Sequence, residues 1–197
     1  MAGLTGNFGT GKSTVARLFK DKGAAVISAD RLAHEVFRKG HALYPKVRLL
    51  FEEVRGDLSR AKIAAVVFRD PGKRKALETL IHPYVFRRIQ EEIRRTRKRI
   101  LILEIPLLFE SGFDRRCDQT LVVQAAPEKV TERLKKRGFT QREIKARWQA
   151  QMPIQKKIRR SDFTIDNSDG LAETRRQVSR IWKELNQSIE RSSSKDG

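Results

Sequence analysis

The chain lacks the residues and segments on which several classes of protein depend. Its 197 residues include one cysteine, Cys117, so no internal disulfide can form, and without a Cys/His cluster the sequence predicts no structural zinc site. No run of about 18 apolar residues is present, and the N-terminus has neither a basic start with a long apolar stretch nor a small-residue cleavage site. From these absences we expect a soluble, cytoplasmic protein without a membrane partner.

Acidic residues are scarce relative to basic ones. Lys and Arg number 43 against 24 Asp and Glu, which gives a formal net charge of +19 and a pI near 10.7. Such a charge favours an anionic partner, which could be nucleic acid, a membrane surface or a phosphorylated small molecule. The basic residues concentrate in 87–99 and 129–160. For any single residue there, a solvated helix face is an equally good interpretation.

Five short apolar segments are typical of buried strands. They are Ala2 to Thr5, Ala24 to Ser28, Ile100 to Ile105, Thr120 to Gln124 and the weaker Phe163 to Ile165. Because the better ones are apolar on both faces, they suit a parallel sheet covered by helices on each side. The sequence therefore predicts an α/β fold.

The segments between these strands have helical periodicity. Helices are predicted over Leu32 to Phe37, Val47 to Val54, Ile63 to Phe68, Ile81 to Ile93 and, at the end, Gly170 to Ile189. We predict a nucleotide-binding core over 1–30, 99–127 and 158–190, a helical insertion over 31–98, a basic lid over 128–157 and a frayed tail over 191–197. The insertion is expected to form one wall of a cleft, because a crossover needs far fewer residues.

The glycine-rich segment Gly6 to Ser13 carries the clearest chemical signal. It reads Gly-Asn-Phe-Gly-Thr-Gly-Lys-Ser, which matches the P-loop pattern, and it lies between a predicted strand and a predicted helix. The glycines let successive N–H groups approach phosphate oxygens at a helix N-terminus. Lys12 is placed to contact the β- and γ-phosphates, and the Ser13 hydroxyl to bind Mg²⁺. The sequence therefore predicts binding of ATP with Mg²⁺.

Four further candidates each have an alternative interpretation. Asp30 follows the second strand and could accept the proton of an attacking hydroxyl, or it could cap a helix that begins at Arg31. Glu104 could hold Mg²⁺ through water, or be only a charge at a strand end. His82, predicted at the head of a long basic helix, could take part in catalysis, or it could be a cap or a packed ring. The lid arginines could contact phosphate, and spacing does not distinguish among them: Arg133, Arg137, Arg142 and Arg147.

Linked motifs extend over nearly the whole chain. They are Gly3-Leu4-Thr5-Gly6 leading into the P-loop, Val26 to His34, Val67 to Pro71, Ile81-His82-Pro83, Ile105-Pro106-Leu107-Leu108-Phe109-Glu110, Arg133-Leu134 to Arg147, Gln151-Met152-Pro153 and Asn167-Ser168. Pro-Leu-Leu-Phe-Glu with His-Pro is much more specific than a P-loop alone. Together these motifs resemble those of the dephospho-coenzyme A kinases.

This resemblance implies a P-loop nucleoside-kinase fold, with a three-layer core around a central five-stranded parallel sheet, a helical substrate domain and a lid. The implied reaction transfers the ATP γ-phosphate to the ribose 3′-hydroxyl of dephospho-CoA, the last step of coenzyme A synthesis. By position, Asp30 becomes the base, and Lys12 and Arg137 act with it. The implied ATP contacts are Gly9, Thr10, Gly11, Lys12, Ser13, Thr14, Arg147 and Asn167; the implied acceptor contacts are Asp30, His82 and Arg88. Ser13 and, through water, Glu104 become the metal-site residues.

The sequence departs from that family's pattern at several positions. Ser28 stands where the family usually has an additional Asp, so the role of the carboxylate base falls on Asp30. Glu104 stands where Asp is common, and its extra methylene bears on the magnesium role. Residues 51–58 form a shorter segment than usual, and Asp169 intervenes before Gly170.

Two other functions remain alternatives. One is a P-loop kinase with another hydroxyl or phosphate acceptor, such as a nucleotide. The other is a basic nucleic-acid-binding protein that uses ATP as a switch, although its basic segments lack the interleaved aromatic residues of a base-stacking surface. We expect ATP and dephospho-CoA as partners, no specific nucleic acid, and a monomer or small homo-oligomer.

Overall fold

A computed structural model of the chain describes residues 1–67 and 69–193. The chain divides into two compact units. The first unit, which we call the core unit, comprises Met1–Ile27 and the described residues from Arg97 onward. The second, Ser28–Thr96, is here called the insertion. Residues 128–157 of the predicted lid belong to the core unit.

The core unit is built on a five-stranded sheet with the order β2-β3-β1-β4-β5. The strands are β1 (Ala2–Thr5), β2 (Ala25–Ser28), β3 (Leu101–Glu104), β4 (Gln119–Gln124) and β5 (Phe163–Asp166). In the parallel register Leu4 lies opposite Glu104 on one side and Leu121 on the other. All five predicted strands are present, and the predicted α/β class with a central five-stranded parallel sheet is confirmed.

Helices connect the strands. Within the described residues they are α1 (Lys12–Asp21), α2 (Ala29–Glu35), α3 (Tyr44–Leu50), α4 (Arg60–Val67), α5 (Pro71–Arg95), α6 (Pro127–Lys136), α7 (Gln141–Gln149), α8 (Ile154–Arg160) and α9 (Leu171–Ser193), with a short 3₁₀ helix over Phe113–Arg116. Two parts of the sequence predictions, Phe68 and residues 194–197 of the tail, lie outside the described residues. Residues 191–193, predicted to be frayed, continue α9.

Helices α1 and α9 cover the sheet with their apolar faces. Val15 and Phe19 of α1 pack in one buried cluster with Val178 and Ile181 of α9 and with apolar side chains of the strands. Removing this surface from water contributes roughly 25 cal/mol for each Å² of apolar area. The cluster fixes the start of α1, and with it the loop that precedes α1.

The insertion has an apolar cluster of its own. Its buried members come from the C-terminal end of α2, from α3, α4 and α5, and from the loops between these helices: Val36, Val47, Phe51, Val54, Leu58, Ile63, Ile81 and Tyr84. The prediction that this region is largely helical holds, but the last helix was placed wrongly. It begins at Pro71, ten residues before Ile81, because Asp70 caps it by accepting from Lys73 N at 2.9 Å.

Pro83 lies inside α5 and does not begin it. Proline has no N–H, so the carbonyl of Thr79 loses its helical donor at this turn. A proline usually marks a helix boundary, which is why the sequence pattern placed His82 at a helix head. His82 instead lies at mid-helix with an exposed side chain.

The single cysteine, Cys117, packs beneath β1. A side chain at Gly3 would place its Cβ 2.8 Å from the Cys117 Sγ, so glycine makes room for the sulfur. The thiol donates to the Phe113 carbonyl at 3.6 Å. Burial raises the pKa of this thiol to about 11.

Candidate active site

The P-loop connects β1 to α1 and requires glycine at defined positions. Gly9 and Gly11 have φ of +86° and +95°, in the left-handed region that favours glycine. A Cβ at Gly9 would lie 2.6 Å from Val130 Cγ1, and one at Gly11 would collide with Asn167 Nδ2. The first N–H groups of α1 have no acceptor within the helix, so they form an anion-binding end. This arrangement suits a phosphate group.

Lys12 folds back across the loop. Its ammonium donates to the carbonyl oxygens of Gly6 at 2.9 Å and Asn7 at 3.1 Å. The predicted cation is therefore held within the loop that would enclose a phosphate. Thr10 is buried and its hydroxyl donates to Asn7 O at 3.0 Å, so this side chain shapes the loop.

Asn167 braces the P-loop from β5. Its Nδ2 donates to Thr10 O at 2.9 Å, and its Oδ1 accepts from the buried Thr174 hydroxyl at 2.8 Å. Arg133 donates to the Asn167 carbonyl at 2.8 Å. The amide is thus engaged at the base of the loop, and a contact between Asn167 and ATP stays a prediction.

Residues after α6 contact the tip of the P-loop. Phe8 N donates to Gln151 Oε1 at 2.8 Å, and Phe8 O accepts from Trp148 Nε1 at 3.0 Å. The Phe8 ring meets the Phe139 ring edge to face, with centroids 5.1 Å apart. The lid segment is therefore attached to the loop through Phe8.

Among the lid arginines, only Arg147 is seen to pack against the P-loop in the part of the chain that the structure describes. Its Cζ lies 4.8 Å from the centroid of the Phe8 ring and 4.9 Å from that of Phe139. Arg137, at the C-terminal end of α6, is exposed, as is Arg142. The structure thus separates residues that spacing alone could not distinguish.

A buried lysine joins the loop after β3 to the end of the lid segment. Lys157 has no exposed side-chain surface, and its Nζ donates to Pro106 O at 3.0 Å and pairs with Glu110 Oε1 at 2.9 Å. Pro106 O also accepts from Thr5 Oγ1 at 3.0 Å, directly before the P-loop. Burial lowers the pKa of Lys157, and Glu110 works against that shift. Glu110 also accepts from Met152 N at 2.9 Å, so both motifs converge on this lysine.

The candidate metal residues, Ser13 and Glu104, lie on the two elements beside the P-loop, α1 and β3. Ser13 is in the first turn of α1, and Glu104 ends β3 directly opposite Leu4 of β1. No group of three or more His, Cys, Asp or Glu side chains within 1–67 and 69–193 could hold a metal ion. The Ser13 hydroxyl and the Glu104 carboxylate suit Mg²⁺, which usually binds through one or two protein oxygens, substrate phosphates and water.

Asp30 lies in the first turn of α2 in the insertion. The helix begins at Ala29, with Ser28 at its N-cap, so the alternative that Asp30 caps a helix from Arg31 is wrong. The Asp30 side chain is exposed. An acidic residue in the first turn is favoured by the helix dipole and remains accessible to a substrate.

Arg88 is surrounded by carboxylates of the insertion. Its guanidinium nitrogens lie 3.3 Å from Glu35 Oε2, 3.4 Å from Glu91 Oε2 and 3.3 Å from Glu92 Oε1. Tyr84 donates to Glu35 Oε2 at 2.5 Å. Burial works against the Arg88 cation, but these carboxylates outweigh it and the pKa of Arg88 is raised. We call this set the Arg88 cluster; His82, predicted beside it as an acceptor contact, is exposed on the same helix.

Sequence reasoning missed Phe8, Trp148, Gln151 and Lys157 as parts of the site. The sequence singles out Gln151 only as part of the motif Gln151-Met152-Pro153, and Lys157 is one of many basic residues in 129–160. One signal was available for Phe8, because a large aromatic residue inside a glycine-rich loop needs a packing partner.

The chain is similar to known proteins over most of its length. The family model described as CoaE, dephospho-CoA kinase, matches residues 1–173. The dephospho-CoA kinase of Aquifex aeolicus is 39% identical over 188 residues, covering 93% of this chain and 96% of that protein. A crystal structure from Thermus thermophilus has a TM-score of 0.81 at 38% identity, covering 93% of this chain and 96% of that one. The dephospho-CoA kinase of Campylobacter jejuni has a TM-score of 0.66 at 26% identity, with 95% and 97% covered.

Proposed function

The chain belongs to the dephospho-CoA kinase family, and on that premise we propose which of its residues transfer the ATP γ-phosphate to the ribose 3′-hydroxyl of dephospho-CoA. The observation that carries the proposal is the P-loop with Lys12 folded across it. Phosphoryl transfer depends mainly on positioning and charge stabilisation, for which such a loop is suited.

Residues Gly9 to Thr14 hold the triphosphate, with backbone N–H groups at the start of α1 directed to its oxygens. On ATP binding, the Lys12 ammonium exchanges its two carbonyl acceptors for oxygens of the β- and γ-phosphates. The exchange is favourable because a phosphate oxygen carries a negative charge and a carbonyl oxygen does not. Negative charge that develops on the transferring group is then opposed by a cation already in place.

Asp30 acts as the general base. Its carboxylate orients the 3′-hydroxyl of dephospho-CoA in line with the γ-phosphate and takes the hydroxyl proton as the new P–O bond forms. The bond between the γ-phosphorus and the β–γ bridging oxygen breaks in the same transfer, and ADP leaves. The exposure of Asp30 in the first turn of α2 supports this role, because a substrate can reach it. A positioned base contributes typically about 10²- to 10⁴-fold to the rate.

Mg²⁺ would accompany ATP, and the residues that would hold it are Ser13, through its hydroxyl, and Glu104, through water. When bound, the ion would supply positive charge that offsets the negative charge of the phosphates.

Two lid arginines have different roles. Arg147 contacts the phosphates of ATP, which its attachment to the P-loop through Phe8 supports. Arg137 is exposed and contacts the transferring phosphate only when substrate is present. Asn167 supports ATP binding through Thr10.

On the acceptor side, the exposed His82 contacts dephospho-CoA. Arg88 shapes the same wall through its three carboxylate partners, which already offset its charge. We further propose that the protein works in the cytoplasm as a monomer or small homo-oligomer and binds no specific nucleic acid. Within the described residues no helix is long and apolar enough to cross a membrane.

The test is formation of CoA from purified protein, Mg²⁺, ATP and dephospho-CoA. We expect turnover that Asp30→Asn lowers by about 10³-fold. Asp21→Asn, at the exposed end of α1, is the matched control and should keep wild-type turnover. If the wild type forms no more CoA than Asp30→Asn, or prefers another hydroxyl acceptor such as a nucleoside, the proposal fails.

A further inference from the structure

Phe8 joins the P-loop to a distant segment of the chain. It stands between Asn7 and Gly9, yet its N–H, its carbonyl and its ring all contact residues 139–151. Those partners lie more than 130 positions away along the chain. A loop tip held at three points has little freedom to move independently of that segment.

The two backbone contacts fix the conformation of the loop at this point. Because Phe8 N–H donates to Gln151 at 2.8 Å, it does not serve a phosphate. Trp148 uses its single donor on the Phe8 carbonyl at 3.0 Å. Gln151 and Trp148 therefore bind the loop in the orientation that leaves the later N–H groups to an anion.

The ring contact fixes the position of Arg147. The guanidinium lies over the Phe8 ring at 4.8 Å and over the Phe139 ring at 4.9 Å, while the two rings meet at 87°. A guanidinium at this distance is attracted to each aromatic ring through a cation–π interaction. The two rings thus determine where the Arg147 guanidinium lies relative to the P-loop.

We propose that Phe8 is a positioning residue for phosphoryl transfer, which sets the Arg147 guanidinium and ties the placement of α7 to the P-loop. The inference rests on the proposed function in one respect, the contact of Arg147 with the ATP phosphates. It adds that this contact depends on an aromatic side chain inside the nucleotide-binding loop.

The first experiment is a double-mutant cycle on Phe8 and Arg147. Phe8→Leu keeps an apolar side chain but removes the aromatic face, and we expect kcat/KM for ATP to fall about tenfold, equivalent to about 1.4 kcal/mol. Phe8→Tyr keeps the aromatic face and should keep most of the wild-type activity. In an Arg147→Met background, Phe8→Leu should have little further effect, because both changes remove the same contact.

A purely structural role for Phe8 gives a different result. In that case Phe8→Leu lowers kcat/KM by the same factor with and without Arg147, and Phe8→Tyr gives no rescue; either result overturns the inference. Phe113→Leu, which alters the Phe113–Arg116 pair on the 3₁₀ helix, is the matched control and should leave the KM for ATP unchanged.

The second experiment measures the fluorescence emission of Trp148 in the absence of any phosphate acceptor. The chain has two tryptophans, so Trp182→Phe leaves Trp148 as the only one. We expect a nonhydrolysable ATP analogue to change Trp148 emission in this background, and Phe8→Ala to abolish most of that change while far-UV circular dichroism stays the same. An unchanged emission response in Phe8→Ala would contradict the inference.

These readouts separate the inference from the proposed function. Analogue binding and Trp148 emission need no dephospho-CoA, so they report on Phe8 whatever the acceptor is. If the emission response of Trp148 depends on Phe8 but no CoA forms, the inference stands and the acceptor assignment fails. If CoA forms but Phe8 and Arg147 act independently, the inference fails alone.

Discussion

The P-loop side of the core unit and the Arg88 cluster of the insertion support their functional side chains by different kinds of contact. Around the P-loop, buried side chains donate to backbone carbonyls, as Asn167 does to Thr10 and Lys157 to Pro106. In the insertion, a partly exposed arginine faces three carboxylates. The P-loop is thus supported mainly by hydrogen bonds to backbone carbonyls, and Arg88 mainly by ion pairs.

This difference indicates how each site should respond to substitution and to salt. A backbone carbonyl is fixed by the strand or helix that contains it, and a hydrogen bond to it inside the protein is little affected by salt. Ion pairs near the surface are screened by salt and contribute modestly. We therefore expect substitutions around the P-loop to have large effects independent of salt, and those in the Arg88 cluster to have smaller effects that depend on it.

The largest expected effect is that of Lys157→Met. This change leaves Glu110 without its buried partner and Pro106 O without one of its two donors, and we expect a loss of about 3 kcal/mol in the free energy of unfolding. Chemical denaturation measures it. Lys156→Met, at the exposed neighbouring position, should change stability little; equal losses in the two variants would break the comparison.

The pH dependence of this pair provides a second measurement. Burial lowers the folded-state pKa of Lys157 below its ordinary 10.5, so the unfolded chain binds this proton more tightly. The contribution of Lys157 to stability should therefore rise with pH between the lowered pKa and 10.5. We expect the difference in unfolding free energy between wild type and Lys157→Met to grow over that window. Parallel pH curves would contradict the prediction.

The next effect in size is that of Asn167→Ala. It leaves the Thr10 carbonyl and the buried Thr174 hydroxyl without this partner, and we expect a loss of about 2 kcal/mol in stability together with a higher KM for ATP. Asn186→Ala is the matched control, because its amide also donates to a backbone carbonyl, that of Trp182 at 2.8 Å, within α9. A normal KM for ATP in Asn167→Ala would show that the hydrogen bond from Asn167 to the Thr10 carbonyl is not needed for ATP binding by the loop.

The smallest effect is expected for Arg88→Met. The Arg88 side chain is 28% exposed, and after allowance for solvent screening we expect a loss of about 1 kcal/mol, because three carboxylates then repel one another. High salt should reduce this loss but not that of Asn167→Ala. Arg87→Met, on the same helix with 69% exposure, is the control. A loss that does not change with salt would remove the distinction between the two sites.

The features that sequence predicted best are local ones. The five strands are short runs of consecutive apolar residues, a pattern that predicts burial on both faces, and the P-loop is one uninterrupted motif. The closing helix, predicted over Gly170 to Ile189 and observed as α9, followed from helical spacing in the same way. In each case the signal lies within one element and needs no knowledge of its neighbours.

The features that sequence missed depend on contacts between distant segments or on competing local signals. Phe8 and Gln151 are 143 positions apart, and no spacing rule connects them. Lys157 resembles the other basic residues of its segment until its burial is known. Pro83 indicated a helix start, but the stronger Asp70 cap and the packing of Ile81 and Tyr84 carry α5 through it.

The environment of Cys117 has a practical consequence for spectroscopy. Maleimides react with the thiolate, and a thiol with a pKa near 11 is almost entirely protonated at neutral pH. A cysteine introduced at the exposed Lys145 of α7 would therefore be labelled selectively while the natural thiol is kept. A single fluorophore or spin label could then follow α7 during turnover in an otherwise unaltered chain.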